Sequence, residues 1–224
     1  MSAPVSAPSK SRQQILDRIL SATHASTNGP PDAAAAYAAL PRTYIRHGQL
    51  STEARLALLI ERLREYDAEV IECTPATLPA SIASQLTASD KHTFVAPPGL
   101  PAEWLTSGFN WKIDHDLPIS EIETAEGVVT AAFCGVADSG TIVLHHSSIE
   151  GRRVLTLLPD WHLCILRASQ VVQTLPEYFD RCTQPTALAT WISGPSATAD
   201  IEMTRIKGVH GPRFLHVILV RDEI

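Results

Sequence analysis

The hydrophobic residues of this chain recur first at helical spacing and later as short continuous apolar runs. Two helices are predicted in the first third, where apolar residues repeat every three or four positions within polar sequence. Their apolar stripes are Ile15, Leu16, Ile19 and Leu20, and Leu56, Leu59, Ile60 and Leu63. Ser51 precedes the second stripe and is a candidate N-cap. Residues 22–50 follow neither period and are interpreted as an irregular arm.

The apolar runs, several rich in β-branched residues, are predicted to be strands. The predicted strands are 69–73, 93–96, 127–133, 141–144, 153–158, 162–166 and 214–220, and one more ends near Ile192. Further helices are predicted near residues 82–86 and over residues 174–182. The last strand is apolar on both faces, as expected for a central strand of a covered sheet. Because helices come between many strands, the pattern predicts a three-layer α/β domain.

The predicted organisation is a disordered tail over residues 1–11, an N-terminal helix and arm over residues 12–50, and one α/β domain over residues 51–224. A chain of 224 residues is long enough for one substantial core and short for two domains. No run reaches the roughly 18 apolar residues of a membrane span. The N-terminus lacks the apolar region of a secretory signal, which favours a cytoplasmic protein.

Composition and missing motifs exclude several classes of function. The net charge of −6 argues against a nucleic-acid-binding surface, although it allows a local cationic pocket. The four cysteines form no CxxC pair, so neither an iron–sulfur site nor a zinc ribbon is predicted. His162 and Cys164 share a strand face, but no third ligand is evident and no metal site is predicted. The fingerprints GxxxxGK[ST], GxGxxG, GxSxG and HExxH are all missing, so no motif identifies a cofactor, which stays unknown.

The first candidate segment is residues 138–141, just before a predicted strand. Gly140 lies between the hydroxyl residues Ser139 and Thr141, a composition whose backbone can turn tightly and present N–H groups to an anion. Asp138 is a candidate to orient a hydroxyl or accept a proton. An ordinary hairpin turn or bulge accounts equally for these residues.

The second candidate segment, residues 193–202, follows the strand that ends near Ile192. Ligands of open α/β sheets bind beyond the carboxyl ends of strands, which places Ser193, Gly194 and Ser196 at a candidate site. If Ala197 began a helical turn, its N–H groups and the hydroxyl of Thr198 would hold a carboxylate or phosphate. Simple N-capping is the alternative. Asp200 and Glu202 are not interpreted as a catalytic pair, since on a helix they would diverge.

The third candidate segment, residues 207–213, precedes the last strand. Lys207, His210 and Arg213 bring cationic or hydrogen-bonding groups into one short loop. Arg213 suits bidentate binding of a carboxylate, and His210 suits acid–base chemistry near neutral pH. A solvated loop that only maintains solubility is the alternative.

Taken in order, four segments resemble the lactate-utilisation (LUD) domain family, in particular the C subunits of lactate-utilisation operons. These segments are Ala-Asp-Ser-Gly-Thr-Ile-Val-Leu at 137–144, Arg-Arg-Val-Leu-Thr-Leu-Leu-Pro-Asp at 152–160, Ser-Gly-Pro-Ser-Ala-Thr-Ala-Asp-Ile-Glu at 193–202 and Gly-Val-His-Gly-Pro-Arg at 208–213. The resemblance covers roughly residues 125–220. The family pattern usually has Glu-Thr-Gly-Thr where this chain has residues 138–141, so one carboxylate is shifted by a methylene.

The resemblance implies a fold like that of the sugar-phosphate isomerase and CoA-transferase superfamily, whose members bind anionic substrates at loops beyond the sheet. It also implies a cytoplasmic three-protein system that oxidises L-lactate to pyruvate. The two other subunits of that system resemble iron–sulfur proteins, which are therefore the expected partners and the expected carriers of clusters. The resemblance leaves open whether this chain is itself an enzyme.

Three hypotheses follow. In the first, the three segments join in a small-anion pocket, with Asp138 and His210 as catalytic candidates. The substrate-binding candidates are Ser139, Gly140, Thr141, Ser193, Gly194, Ser196, Thr198 and Arg213. Arg213 would bind the carboxylate of lactate. In the second, the chain is a non-catalytic interaction subunit for iron–sulfur proteins. In the third, suggested by fold analogy, it is a stand-alone CoA- or nucleotide-using enzyme.

Overall fold

The computed structural model describes residues 10–22, 33–183, 188–198, 206–208 and 211–222. The chain divides into two compact units, residues 1–44 and 45–224. The first unit contains helices α1 (Lys10–Ala22) and α2 (Ala33–Ala38). The predicted N-terminal helix is thus present, and the four apolar side chains of its stripe are exposed. Of the predicted tail, residues 1–9 lie outside the described residues.

Within the part of the chain that is described, the second unit contains four α-helices and twelve strands, besides short 3₁₀ helices. The helices are α3 (Thr52–Glu65), α4 (Leu78–Ala88), α5 (Ile119–Ile122) and α6 (Leu175–Arg181). The strands are β1 (Glu69–Cys73), β2 (Thr93–Ala96), β3 (Asn110–Ile113), β4 (Gly127–Ala131), β5 (Cys134–Val136), β6 (Thr141–Leu144), β7 (Trp161–Arg167), β8 (Val171–Val172), β9 (Thr190–Ile192), β10 (Ala197–Thr198), β11 (Ile206–Lys207) and β12 (Phe214–Val220). No helix of the described ranges is long and apolar enough to cross a membrane.

A six-stranded parallel sheet forms the centre of this unit, with strand order β1-β12-β7-β4-β2-β3. Strand β7 lies in its middle and pairs with β12 along its whole length. Both strands are almost entirely buried, as the continuous apolar runs predict. A second, four-stranded sheet has the order β8-β5-β6-β9.

Helices and the smaller sheet cover the two faces of the parallel sheet. On one face, α4 contributes Leu78, Ile82 and Leu86 to a core shared with β2, β4, β7 and β12. On the other face, α3 packs together with residues of the smaller sheet such as Ile142 and Leu144. The α/β class, the parallel sheet between covering layers and the N-terminal helix are confirmed.

Helix α3 forms as its sequence predicts. The Ser51 hydroxyl accepts a hydrogen bond from the Ala54 backbone N–H, which caps the helix. All four residues of the predicted stripe, Leu56, Leu59, Ile60 and Leu63, are buried.

Three local predictions are wrong. Residues 153–158 are not a strand: Arg153–Thr156 form a 3₁₀ helix, because a short apolar run does not by itself distinguish helical from extended backbone. Ala197 does not begin a helical turn, since β10 pairs antiparallel with β11. Residues 33–38 of the predicted irregular arm form helix α2, in keeping with the high helix propensity of alanine.

Candidate functional site

A cavity of about 200 Å³ lies where the turn after β9 meets the beginnings of β7 and β12. We call it the β9 cavity. It is lined by Arg153, Thr156, Leu157, His162, Thr190, Trp191, Ile192, Ser193, Gly194, Pro195, Ser196, Gly211, Pro212 and Leu215. This volume equals that of roughly six or seven water molecules at about 30 Å³ each, which suits a short organic acid rather than a drug-sized ligand.

The β9 cavity lies at the amino ends of the central strands. Its lining residues His162 and Leu215 are the second residues of β7 and β12 and are paired with each other in the sheet. The predicted strand before the turn at residues 193–196 is present and ends at Ile192, but the rule for ligands of open α/β sheets does not apply to it. The strand before that turn, β9, belongs to the smaller sheet, which covers one face of the parallel sheet.

His162 is the most deeply buried polar residue of the lining, with 1% of its surface exposed. Its Nε2 lies 2.8 Å from the hydroxyl oxygen of Thr130. Its Nδ1 is buried and has no hydrogen-bond partner among the described residues. Burial, assisted by the charge of Arg153, lowers the pKa of His162 to about 3, so the ring is neutral at physiological pH. An unpaired buried nitrogen is costly, which makes Nδ1 a group that a ligand would satisfy.

The layer behind His162 is polar but uncharged. Thr130 is fully buried, and its hydroxyl lies 3.9 Å from the sulfur of Cys164. Burial raises the pKa of Cys164 to about 12, so it carries a thiol. Within the described ranges, no group of three or more His, Cys, Asp or Glu side chains is placed to hold a metal ion.

Among the described residues of the cavity lining, Arg153 is the cation. Its Nη1 donates to both the backbone oxygen and the hydroxyl of Thr156, each at 3.0 Å. A guanidinium carries five N–H donors over three nitrogens. Both of these bonds use Nη1, so neither involves Nε or Nη2 of Arg153. The exposed Arg153 thus supplies a positive charge beside a buried neutral imidazole.

Two of the predicted segments meet at the cavity through their hydroxyl groups. The Thr141 hydroxyl lies 2.8 Å from that of Ser139 and 2.8 Å from that of Ser193. Ser193 lines the cavity, so this chain of hydroxyls leads from the β5–β6 turn to the cavity wall. Gly140 turns the backbone between them with φ +60°. Asp138 is exposed in the same turn and is not a lining residue.

The third predicted segment packs against the second. The Ser196 N–H donates to the backbone oxygen of Pro212 at 2.8 Å, and the Gly208 N–H donates to that of Ser196 at 2.9 Å. A Cβ atom at Gly208 would stand 2.1 Å from the Ser196 hydroxyl oxygen and 3.2 Å from its backbone carbon, so any larger residue would force Ser196 to shift. Gly194, Ser196 and Gly211 all line the cavity.

The remaining predicted site residues are not among the described lining residues. His210 lies outside the described residues, as do Asp200 and Glu202. Thr198 belongs to the short strand β10.

Arg213 is half exposed and lies outside the cavity lining. Its guanidinium donates to both carboxylate oxygens of Asp160, from Nε at 2.5 Å and from Nη2 at 2.9 Å. These hydrogen bonds hold the pKa of Asp160 below its ordinary range. In this structure Arg213 is therefore engaged by a protein carboxylate, and Arg153 is the arginine at the cavity.

Sequence reasoning did not propose Arg153, Thr156, His162 or Thr190 as ligand-binding residues. Arg153 lies within a segment that carries the family resemblance, yet it was interpreted as part of a strand. His162 had a visible signal, because it is a polar residue in an otherwise apolar strand. From sequence, His162 was weighed only as a metal ligand together with Cys164, and no metal site was predicted. Its role as a hydrogen-bonding group of a cavity was not considered.

Comparisons with known proteins agree on one family. The LUD domain profile matches residues 56–220. Lactate utilization protein C of Deinococcus radiodurans is 39% identical over 164 residues, which cover 71% of this chain and 76% of that protein. The protein of the same name from Bacillus velezensis is 28% identical over 203 residues, which cover 80% and 83%. A crystal structure of a DUF162 family protein from Deinococcus radiodurans superposes with a TM-score of 0.66 at 34% identity, covering 77% of this chain and 99% of that chain. This chain therefore belongs to the LUD domain family.

Proposed function

We propose that this protein acts in lactate utilisation and that the β9 cavity binds L-lactate for its oxidation to pyruvate. The family membership and the names of the relatives support a role in lactate utilisation. The cavity volume of about 200 Å³ suits a three-carbon acid.

The observation that carries the proposal is the unpaired Nδ1 of His162 beside the cation Arg153. A lactate carboxylate would pair with the guanidinium of Arg153, which matches a carboxylate in shape and charge. The oxygen on the neighbouring carbon would then bond to Nδ1. Lactate and pyruvate both carry a carboxylate and, on the neighbouring carbon, an oxygen that can pair with the imidazole.

His162 acts in this proposal as a neutral hydrogen-bonding group. A pKa of about 3 makes it a weak base, poorly matched to proton removal at neutral pH. Its buried position fixes the ring, so it orients the ligand with little reorganisation. Ser193 and Ser196 add hydroxyl groups to the wall opposite β7.

Oxidation of L-lactate to pyruvate removes two electrons and two protons, and no side chain of the cavity is a redox centre. We propose that this chain binds and orients the substrate, and that iron–sulfur subunits of a cytoplasmic complex supply the acceptors of both the two electrons and the two protons. The exposed apolar stripe of α1 supports a role in docking such partners, because exposed apolar surface marks interaction sites.

The ligand site is tested by calorimetric titration of L-lactate and pyruvate into the wild type, Arg153→Gln and Arg213→Gln. We expect Arg153→Gln to weaken binding at least tenfold and Arg213→Gln to change it less than twofold. If Arg213→Gln lost binding and Arg153→Gln did not, Arg213 rather than Arg153 would be the residue that binds the carboxylate. Absence of binding by the wild type would overturn the proposed site.

The partner proposal is tested by mixing the protein with the iron–sulfur subunits and measuring complex formation by gel filtration. Deletion of residues 1–44 is expected to abolish the complex and to leave ligand binding by residues 45–224 intact. A complex that forms equally well without residues 1–44 would contradict the docking role of α1.

A further inference from the structure

Thr190 joins the wall of the β9 cavity to a histidine outside the lining. Thr190 is the first residue of β9, is 7% exposed and lines the cavity. Its hydroxyl oxygen lies 3.0 Å from Nε2 of His146. His146 itself has φ +58°, a backbone conformation that few non-glycine residues adopt.

The second nitrogen of His146 fixes the direction of this hydrogen bond. Its Nδ1 lies 3.0 Å from the backbone oxygen of Gly151. A carbonyl oxygen only accepts hydrogen bonds, so Nδ1 carries the proton of the neutral ring and Nε2 is the acceptor. The Thr190 hydroxyl therefore donates to His146. Because its one proton is committed, the hydroxyl offers a ligand only lone pairs.

We infer that Thr190, held in this orientation by His146, makes the β9 cavity select an α-hydroxy acid over the corresponding α-keto acid. The inference rests on the proposed function and names the ligand group that distinguishes substrate from product. The hydroxyl of lactate can donate to Thr190. The ketone of pyruvate has only acceptor lone pairs and gives the lone pairs of the Thr190 hydroxyl no donor. A site built to pair with a substrate hydroxyl rejects analogues that lack it.

This selection favours binding of the substrate of the oxidation over binding of its product. A subunit that binds lactate more tightly than pyruvate retains the substrate and releases the product. His146 contributes without touching the ligand, so it is a positioning residue, whereas Thr190 is the specificity-determining residue.

The test is calorimetric titration with L-lactate, pyruvate and propionate as probes. Propionate has the carbon chain of lactate without its hydroxyl. We expect the wild type to bind lactate at least tenfold more tightly than pyruvate. Thr190→Val, which replaces the hydroxyl by a methyl group, should bring the affinity for lactate close to that for pyruvate, while both acids still bind more tightly than propionate through Nδ1 of His162. Thr190→Ser, which keeps the hydroxyl, should preserve the preference.

The role of His146 is tested separately with His146→Asn, because asparagine tolerates a positive φ and is too short to reach Thr190. Freed from His146, the Thr190 hydroxyl can donate to a ketone. The ratio of lactate to pyruvate affinity should therefore fall several-fold, mainly through tighter binding of pyruvate. Thermal midpoints of all variants confirm that each is folded.

The outcomes separate the two proposals. If the wild type binds lactate and pyruvate but shows no preference, or if Thr190→Val keeps the preference, the selection is overturned and the proposed function stands. If the wild type binds neither acid, the proposed function fails and the selection fails with it.

Discussion

The hydroxyl oxygen of Thr141 lies 2.8 Å from that of Ser193, although the two residues are 52 positions apart. Strands β6 and β9 are antiparallel neighbours, and their pairing brings the β5–β6 turn to the start of the 193–196 turn. Two motifs that are separate in sequence thus form one hydrogen-bonded wall.

Thr141→Val should weaken this wall without changing its shape. Thr141 is 5% exposed and its hydroxyl lies between those of the exposed Ser139 and Ser193, so the variant removes the centre of this hydroxyl chain. We expect the free energy of unfolding to fall by about 1 kcal/mol and lactate affinity to fall because Ser193 loses its partner. Urea denaturation and calorimetric titration measure the two effects. Thr141→Ser is the control, and an equal loss in both variants would contradict a role for the hydroxyl.

Gly140→Ala should destabilise the protein by two mechanisms at once. Its φ of +60° strains any side chain, and an added Cβ would lie 2.7 Å from Cβ of Arg62 and 3.0 Å from its backbone carbon. We expect a loss of more than about 2 kcal/mol, since strain alone costs about 1 kcal/mol.

Gly108→Ala is a matched control for this variant. Gly108 has φ +94°, and an added Cβ would have no neighbour within 4 Å. In urea denaturation, Gly108→Ala should lower the free energy of unfolding only by the cost of backbone strain, which is less than the loss in Gly140→Ala. Equal losses in the two variants would contradict a steric role of Arg62.

His162 should make the protein sensitive to acid well above the range of carboxylates. Its pKa falls from 6.5 to about 3 on folding, so between these values the unfolded chain binds one more proton than the folded protein. His162 therefore lowers the free energy of unfolding by about 1.4 kcal/mol for each pH unit below 6.5.

His162→Gln should remove this slope between pH 6 and pH 4, as measured by urea denaturation at a series of pH values. An unchanged slope in His162→Gln would show that this ring is not held neutral by burial.

Asp114 should stabilise the loop after β3 far more than its neighbour Asp116. The carboxylate of Asp114 is 4% exposed and accepts two hydrogen bonds from Arg152, each at 2.8 Å. The backbone N–H of Leu117 donates a third at 3.0 Å. Asp114→Asn should cost about 2 kcal/mol, less than a fully buried pair because Arg152 is 38% exposed.

Asp116 also contacts Arg152, at 3.1 Å, but its side chain is 92% exposed. Asp116→Asn should therefore change the free energy of unfolding by less than about 0.5 kcal/mol. Thermal or urea denaturation of the two variants tests the difference. Similar losses would mean that burial does not decide the strength of this pairing.

The elements most accurately predicted from sequence are those with one strong, uninterrupted pattern. Helix α3 has a complete apolar stripe, and β1, β2, β6 and β12 have the predicted bounds. The run at residues 127–133 was predicted as one strand, but β4 ends at Ala131 and the chain then crosses to β5 in the smaller sheet. Both sheets bury these residues, so hydrophobicity alone does not mark the crossing.

The candidate site was predictable only where a motif carried its own signal. Ser139, Thr141, Ser193 and Ser196 were singled out because small hydroxyl residues flank glycines. The contribution of His162 depends on the pairing of β7 with β12, whose partners are 53 positions apart, as with Trp161 and Phe214. Local patterns do not encode such pairings, so the deepest residue of the cavity could not be assigned to it.

The pairing of β7 on both sides has a consequence for how the cavity opens. His162 is held between β4 and β12 in the middle of the parallel sheet, so its backbone amide should exchange with solvent only when the whole protein unfolds. The turn at residues 193–196 is held to the third segment by individual hydrogen bonds, such as that from the Ser196 N–H to the backbone oxygen of Pro212. This turn should therefore open locally more readily than β7. In deuterium exchange, a bound acid should slow the amides of the turn, whereas the amides of β7 should follow global stability.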